Sequence, residues 1–340
     1  MKLIIDAMGG DYAPGEIVQG ALQAARDFAV EIVLVGRGEE ILGSMKERGI
    51  ETLPVGVEIA HADEVVDMHD DPSKVMHQRK NSSMLVGLKM LADGQGDAMI
   101  SAGSTGALLT AATLMVKRVK GIRRAALGPV LPTDNGGTVL LDCGANAECQ
   151  PEYLLQFGIM GAIYAKNELG KENPKVGLLN IGAEDTKGTA LQLEAYRLLR
   201  QAHEAGRLNF YGNVEARDVF DGVVDVVVAD GFSGNILLKS IEGTAAFLTG
   251  LLKQGFTSSL RTKLGYVLSK PALRVLKTKL DYNETGGTML LGISKPVIKA
   301  HGSSKARAIY SAVRQAKSIV ENQVAEGIRD EVARLRAAEE

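Results

Sequence analysis

Short aliphatic, β-branched runs alternate with helix-periodic stretches along the whole chain, and this alternation limits the possible folds more than any other feature. Residues 3–5, 31–35, 97–100, 138–141, 175–179, 207–211 and 223–229 read as strands. Between them, residues 15–28, 73–92, 151–167, 190–205 and 304–325 carry helical patterns. Several strands are apolar on both faces, as strands covered by helices on each side must be. The expectation is an α/β fold with a mostly parallel sheet between helical layers. No low-complexity linker or internal repeat interrupts the 340 residues, so 1–340 read as one α/β domain.

Composition narrows the function. The chain is 45% hydrophobic and 24% charged, enough apolar material for an ordinary core. Its 39 basic and 41 acidic residues leave a net charge of -2, without the basic excess of a nucleic-acid binder. Aromatics make up 4% and Trp is absent, which argues against stacking platforms for single strands. Two cysteines, Cys143 and Cys149, supply neither a disulfide framework nor a four-ligand zinc site. No metal and no cofactor are expected. The opening Leu3-Ile4-Ile5 run is too short for a signal peptide, and no run approaches the ~18–20 apolar residues of a membrane span. A cytoplasmic location is the expectation.

Residues 244–280 differ in charge from the rest. They hold Lys253, Arg261, Lys263, Lys270, Arg274, Lys277 and Lys279 and no carboxylate. Leu260, Leu264, Val267 and Leu268 fall at helical spacing, and Pro271 can open a second helix carrying Leu273 and Leu276. A basic, amphipathic helical hairpin at about 244–280 is expected, facing something acidic.

Glycine-rich turns follow strand after strand, where α/β folds place their ligands. They span 6–11, 101–106, 142–146, 180–188 and 230–235. Each offers backbone N–H groups unobstructed by side chains, suited to a phosphate or oxyanion. Any one of them is most simply a tight strand-to-helix turn, but five together predict a single shared sheet edge lined with them. Near the C-terminus, Lys299-Ala300-His301-Gly302-Ser303-Ser304 joins a short strand to the last long helix. Ser303 and Ser304 suit helix N-caps, and with Lys299 and His301 the same turn suits an anion. Arg79-Lys80-Asn81-Ser82-Ser83 offers a similar polar opening to a helix, or simply a solvated face.

Common catalytic signatures fail. Ile41 stands at the third glycine position of a dinucleotide fingerprint after Gly36-Arg37-Gly38. Gly182 to Gly188 lacks the Gly-Lys-Ser/Thr ending of a phosphate-binding loop of nucleotidases. Neither Ser104 nor Ser233 sits in a nucleophile elbow, because Ala102 and Asn235 replace its glycines. Cys143 reads as a small hydrophobe behind a turn.

The turns at 6–11, 101–108, 142–146, 180–182 and 230–235, together with His301 to Ser304, resemble the bacterial phosphate acyltransferases of phospholipid synthesis (acyl-carrier-protein:phosphate transacylases). The match runs in order over nearly the whole chain. The resemblance implies a three-layer αβα sandwich of the isocitrate-dehydrogenase/phosphotransacetylase kind, acting as a homodimer. It implies attack of inorganic phosphate on a long-chain acyl-carrier-protein thioester. The acyl phosphate formed would feed a membrane glycerol-3-phosphate acyltransferase in phosphatidic acid synthesis.

On this reading Lys187, His301, Ser303 and Ser304 hold phosphate, helped by the amides of Gly103, Ser104 and Thr105. Asn146, Asn180 and Asn235 orient substrate oxygens. Asp6, Asp11 and Asp230 are structural, since carboxylates repel phosphate. The basic hairpin would meet acidic acyl carrier protein or an anionic membrane surface through Leu260, Arg261, Lys263, Leu264 and Leu268, making the protein peripherally membrane-associated. The rival within the same chemistry is a phosphotransacetylase-like enzyme using acyl-CoA. A nicotinamide-dependent dehydrogenase of related fold would need an adenine-ribose carboxylate and a metal-binding aspartate cluster, and neither occurs at suitable spacing.

Overall fold

The computed structural model describes residues 1–280 and 286–337; Asp281 to Glu284, Thr285 and the Leu276 side chain lie outside the described residues. The strands are β1 (Lys2–Asp6), β2 (Glu31–Gly36), β3 (Val57–His61), β4 (Ala98–Ser101), β5 (Ala126–Gly128), β6 (Val130–Leu131), β7 (Thr138–Leu141), β8 (Lys175–Asn180), β9 (Asn209–Glu215), β10 (Val226–Val228), β11 (Thr288–Leu291) and β12 (Val297–Lys299). The helices are α1 (Gly15–Phe28), α2 (Gly38–Lys46), α3 (Val75–Gln78), α4 (Ser83–Ala92), α5 (Thr105–Met115), α6 (Pro151–Leu169), α7 (Ala190–Glu204), α8 (Gly231–Thr257), α9 (Leu260–Leu280), α10 (Ala306–Glu321) and α11 (Val324–Ala337).

Two-sided apolarity has the anticipated consequence. Leu3 and Ile5 of β1 point into one core with α1, α6 and α10, while Ile4 points into a second with α4 and α5. Both cores run on past β7 and β10, so helices cover both sides of a mostly parallel β layer. This is the three-layer αβα arrangement.

The β layer is not one sheet but two. Seven strands run in the order β3-β2-β1-β4-β12-β11-β5, and five in the order β6-β7-β10-β8-β9. They meet where Cys143 N–H donates to the Leu127 carbonyl and Leu140 N–H to the Pro129 carbonyl. β5 and β6, three and two residues long, are too short to leave a periodic trace in the sequence.

Three expected elements need correcting. The helix expected over 73–92 is broken, because Ser82 is extended and its hydroxyl accepts from Leu85 N–H at 3.4 Å to start α4. The one expected over 304–325 divides at Gln323, whose φ is 51°. Pro271 does not begin a helix but lies inside α9. The hairpin turn falls instead at Ser258-Ser259, where Thr262 N–H donates to Ser259 Oγ at 3.2 Å and Ser259 N–H to Thr262 Oγ1 at 3.0 Å. That reciprocal cap supplies the helix start that Pro271 was expected to provide.

Gly234 marks where α8 is fastened. A Cβ there would collide with the Asp142 carbonyl oxygen, and Asp142 is held by Leu127, Ala145 and Asn146 amides at 2.7–3.2 Å. Gly243, on the same helix, has open space around it. Gly234→Ala is therefore expected to cost about 2–3 kcal/mol, whereas Gly243→Ala stabilises by up to about 1 kcal/mol. Thermal melts of the two variants check the ordering; a Gly234→Ala protein melting with the wild type overturns the packing argument.

Candidate active site

The parallel strands β1, β4 and β12 end on one edge of the larger sheet, bringing the 6–11, 101–106 and 299–304 turns together. Asp6 organises them. Its buried carboxylate accepts from Ser83 Oγ at 2.6 Å, Ser101 Oγ at 2.7 Å and Met8 N–H at 3.2 Å. Burial raises its pKa, and these hydrogen bonds pull the other way. Asp11 N–H donates to the Gly302 carbonyl at 2.8 Å, which sews the first turn to the last. Gly10, with φ 106°, lies so close to Ala102 and Gly302 that a side chain would strain the junction.

Two basic groups share this edge. Lys299 ends β12 at 9% exposure, its ammonium donating to the Ala300 carbonyl. Desolvation lowers its pKa to about 8; Asp6 and Asp11 oppose the shift, and Lys239 adds to it. His301 Nδ1 accepts from Ser303 N–H at 3.2 Å and lies 2.8 Å from Ser303 Oγ, so the neutral ring carries its proton on Nε2. Desolvation first, then the charges of Lys239 and Lys299, lower the His301 pKa.

The serines do not act as caps. Lys305 occupies the N-cap position of α10, and Glu16 of α1 accepts from Ala306 N–H at 2.8 Å in their place. Ser304 is 1% exposed and its hydroxyl has no hydrogen-bond partner among the described residues. Ser104 also makes no side-chain cap, leaving the first amides of α5, beginning with Thr105, without one. Gly103 N–H donates to Ser101 Oγ at 3.1 Å.

The remaining turns lie on the smaller sheet, at the ends of β7, β8 and β10. The expected single edge is thus two edges. Asp142 matches Asp6 in position and task, and Asp230 caps α8 by accepting from Ser233 N–H at 2.9 Å. Asn146 is buried, its amide nitrogen donating to the Ala125 carbonyl at 2.8 Å and to Asp142 at 3.0 Å. Asn180 donates to the Lys187 carbonyl at 3.0 Å and accepts from Ile181 N–H. Both amides hold their own turns. Lys187 is exposed within the 180–188 loop, and its stem packs beside Gly182. Asn235 is exposed on the first turn of α8, facing Gly144. Cys143 is buried with its pKa pushed well up by desolvation, as befits a packed thiol.

Ser83 and Ser101 were not singled out as partners of Asp6, and the burial of Lys299, although it is placed with His301 at an anion-suited turn, was not foreseen. A lysine closing the otherwise apolar Val297-Ile298 run was the available sign. Two surface cavities exist elsewhere, one bounded by Tyr164, Glu168 and Gln315 and the other by Ile122, Gln156 and Arg207; neither includes a turn residue.

Comparison with known proteins adds to this geometry. Residues 1–327 match the family described as "Fatty acid synthesis protein". The phosphate acyltransferase of Thermoanaerobacterium thermosaccharolyticum is 49% identical over 98% of this chain and 97% of its own length. That of Bacillus licheniformis is 46% identical over 98% of each. The chain belongs to the phosphate acyltransferase family. Members of this family are transferases, and the present chain is an enzyme of that class. Among solved structures, a phosphotransacetylase from Streptococcus pyogenes superposes with a TM-score of 0.63 at 18% identity, covering 96% of this chain and 94% of that one. A branched-chain phosphotransacylase from Enterococcus faecalis gives 0.55 at 15% identity, covering 94% and 99%. Their likeness shows the shared fold.

Lys299 gives this acyltransferase a pH signature. Its pKa lies below that of an unfolded lysine, so between about pH 8 and 10.5 the unfolded chain binds more protons and stability rises with pH. Lys299→Met is expected to abolish that rise. Denaturant titrations at pH 7.5 and 9.5 check it; an equal rise in both proteins removes Lys299 as its source.

Proposed function

We propose that this chain transfers the acyl group of a long-chain acyl-carrier-protein thioester to inorganic phosphate, supplying acyl phosphate for phosphatidic acid synthesis. The observation that carries the reading is the 299–304 turn. Lys299, His301, Ser303 and Ser304, whose hydroxyl has no partner among the described residues, lie together there, beside the start of α5. Helix amides and the buried Lys299 ammonium together favour a dianion.

Held there, a phosphate oxygen attacks the thioester carbonyl carbon, the C–S bond breaks, and the proton of hydrogen phosphate ends on the departing sulfur. A thiol with pKa near ~8.5 leaves without the help an alkoxide needs. Orientation of the two reactants can supply up to ~7–11 kcal/mol, and each amide aimed at the tetrahedral oxyanion about 3 kcal/mol. No covalent acyl-enzyme is required. Lys187 and Asn235, from the second edge, would meet the donor side, while Asn146 and Asn180 keep their turns in shape.

The donor is read from the hairpin. Leu260, Leu264 and Leu268 form one stripe of α9, 85%, 63% and 75% exposed, with Arg261 and Lys263 exposed beside them. Acidic carrier protein suits the cations, and an anionic membrane surface suits cations and leucines together. Phe247, Leu248 and Leu251 on α8 are exposed too, and a second copy of the chain, giving a homodimer, would cover them. No helix among the described residues is long and apolar enough to cross a membrane. Association would be peripheral, beside the membrane acyltransferase that takes the product.

Incubation with phosphate and either palmitoyl carrier protein or palmitoyl-CoA tests the reaction. Acyl phosphate from the carrier-protein donor at the higher kcat/KM is expected; preference for the CoA ester favours the phosphotransacetylase-like alternative. His301→Ala should raise the phosphate KM at least tenfold and Lys187→Ala the thioester KM, while the melting temperature holds, and unchanged kinetics remove either residue from the site. Leu264→Glu should lower flotation with anionic liposomes several-fold; undiminished flotation rejects insertion of the stripe.

A further inference from the structure

A polar side chain lies buried beside the 180–188 loop, on a sheet face that is otherwise apolar. The register of β8 and β9 slips by one residue, from Val176 beside Phe210 to Gly177 beside Gly212, so Tyr211 is the extra residue of a bulge. Gly212 takes the bend at φ 128°. The bulge reverses the alternation of β9. Phe210 meets Tyr196 of α7 edge-on, whereas Val214, four residues on, packs in the core on the opposite side of the sheet. Asn213, paired with Leu178, therefore shares the α7 side with Val176, Leu178 and Phe210, and it is 4% exposed.

Among the described residues the Asn213 side chain makes a single hydrogen bond. Its Nδ2 donates to the Glu184 carbonyl at 2.7 Å, while its buried Oδ1 has no partner among those residues. A buried orphan acceptor costs stability, and an apolar residue of similar volume would avoid that cost. What the amide supplies instead is its grip on Glu184. The same carbonyl accepts from Lys187 N–H at 3.2 Å, closing a turn over 184–187. From the other side, Asn180 Nδ2 donates to the Lys187 carbonyl at 3.0 Å. The two peptide groups flanking the Lys187 Cα are thus held, one by Asn180 and the other through Glu184 by Asn213. The stem is placed as well, since a Cβ on Gly182 would stand 3.2 Å from Lys187 Cγ. The Lys187 ammonium, by contrast, donates to no group among the described residues.

We propose that Asn213 is a positioning residue for the thioester side of the reaction. Through the Glu184 carbonyl it sets the backbone of Lys187, and so the point from which that ammonium reaches the donor. The proposal rests on the donor-side reading of Lys187 given above. Its signature is a variant that keeps its stability and loses function. Asn213→Leu suits the apolar face, removes the orphan acceptor and leaves the Glu184 carbonyl its bond from Lys187 N–H. The loss then falls on the placement of Lys187 and not on the fold.

Melting, kinetics and hydrogen exchange on the full chain test this. Asn213→Leu is expected to melt no lower than the wild type. With palmitoyl carrier protein and phosphate, its thioester KM should rise about fivefold while the phosphate KM stays within twofold. In a Lys187→Ala background the same substitution should change the thioester KM less than twofold, because the residue it positions is gone. Exchange reads the placement without turnover. The Lys187 amide should exchange about tenfold faster in Asn213→Leu, with the amides of β10 unchanged. Asn213→Asp keeps the shape and deletes only the donor, and it carries the same expectations should the leucine variant not fold. A folded variant whose Lys187 amide exchanges at the wild-type rate overturns the proposal, as do losses that multiply in the double variant. A thioester KM that rises in Lys187→Ala but not in Asn213→Leu overturns the proposal alone. If Lys187→Ala itself leaves that KM unchanged, the donor-side reading of Lys187 fails and the role of Asn213 fails with it.

Discussion

A buried carboxylate at the end of β1 is the constraint on which the larger sheet's edge depends. Taking a carboxyl group out of water costs several kcal/mol unless its oxygens are satisfied. Asp6 is satisfied by two hydroxyls and by the amides of Met8 and Gly9, and in return it holds α4, β4 and the first glycine turn in one place. Asp142 repeats the device on the smaller sheet, with the amides of Leu127, Ala145 and Asn146. Each aspartate points inward to its own turn. The turn backbones are thereby shaped from behind, and the carboxyl groups are engaged within the protein rather than turned toward an arriving anion.

The long periodic elements were legible because a face buried along its length leaves a repeated trace in sequence. Gly15–Phe28 and Ala190–Glu204 form close to where the pattern places them. Breaks were not legible where a distant residue causes them. The start of α4 at Ser83 makes sense only once its hydroxyl is seen on Asp6, 77 positions away. The cap of α10 comes from Glu16, 290 positions away, so Ser303 and Ser304 were credited with a task that a tertiary contact performs. The division into two sheets hangs on strands of two and three residues, below the length at which alternation can be counted.

The site was legible as a set of turns and less so as a set of roles. Glycine clusters after strands announce where a backbone must bend sharply or lie close to its neighbours. They do not say which neighbouring amide is free for a ligand and which is occupied by its own loop. Asn146 and Asn180 look like substrate contacts in a string of letters, yet their amides are committed within the chain. Lys299 looks like the polar end of a strand, yet burial makes it one of the most perturbed cations of the molecule.

α8 joins these levels. Its 27 residues span about 40 Å, from the Asp230 cap to the hairpin turn. The first turn has no freedom to slide, since Gly231 and Gly234 already touch the backbone of the 142–146 turn. Leu237, Leu238 and Ile241 pack on the core, and beyond them Phe247, Leu248 and Leu251 face solvent. One element therefore carries Asn235 at its packed end and an exposed apolar surface at the other. Packing interactions fix the end beside the 142–146 turn, while the far end presents its apolar side chains to solvent. No loop lies between the two ends, so α8 alone connects the 142–146 turn to the hairpin turn at Ser258-Ser259.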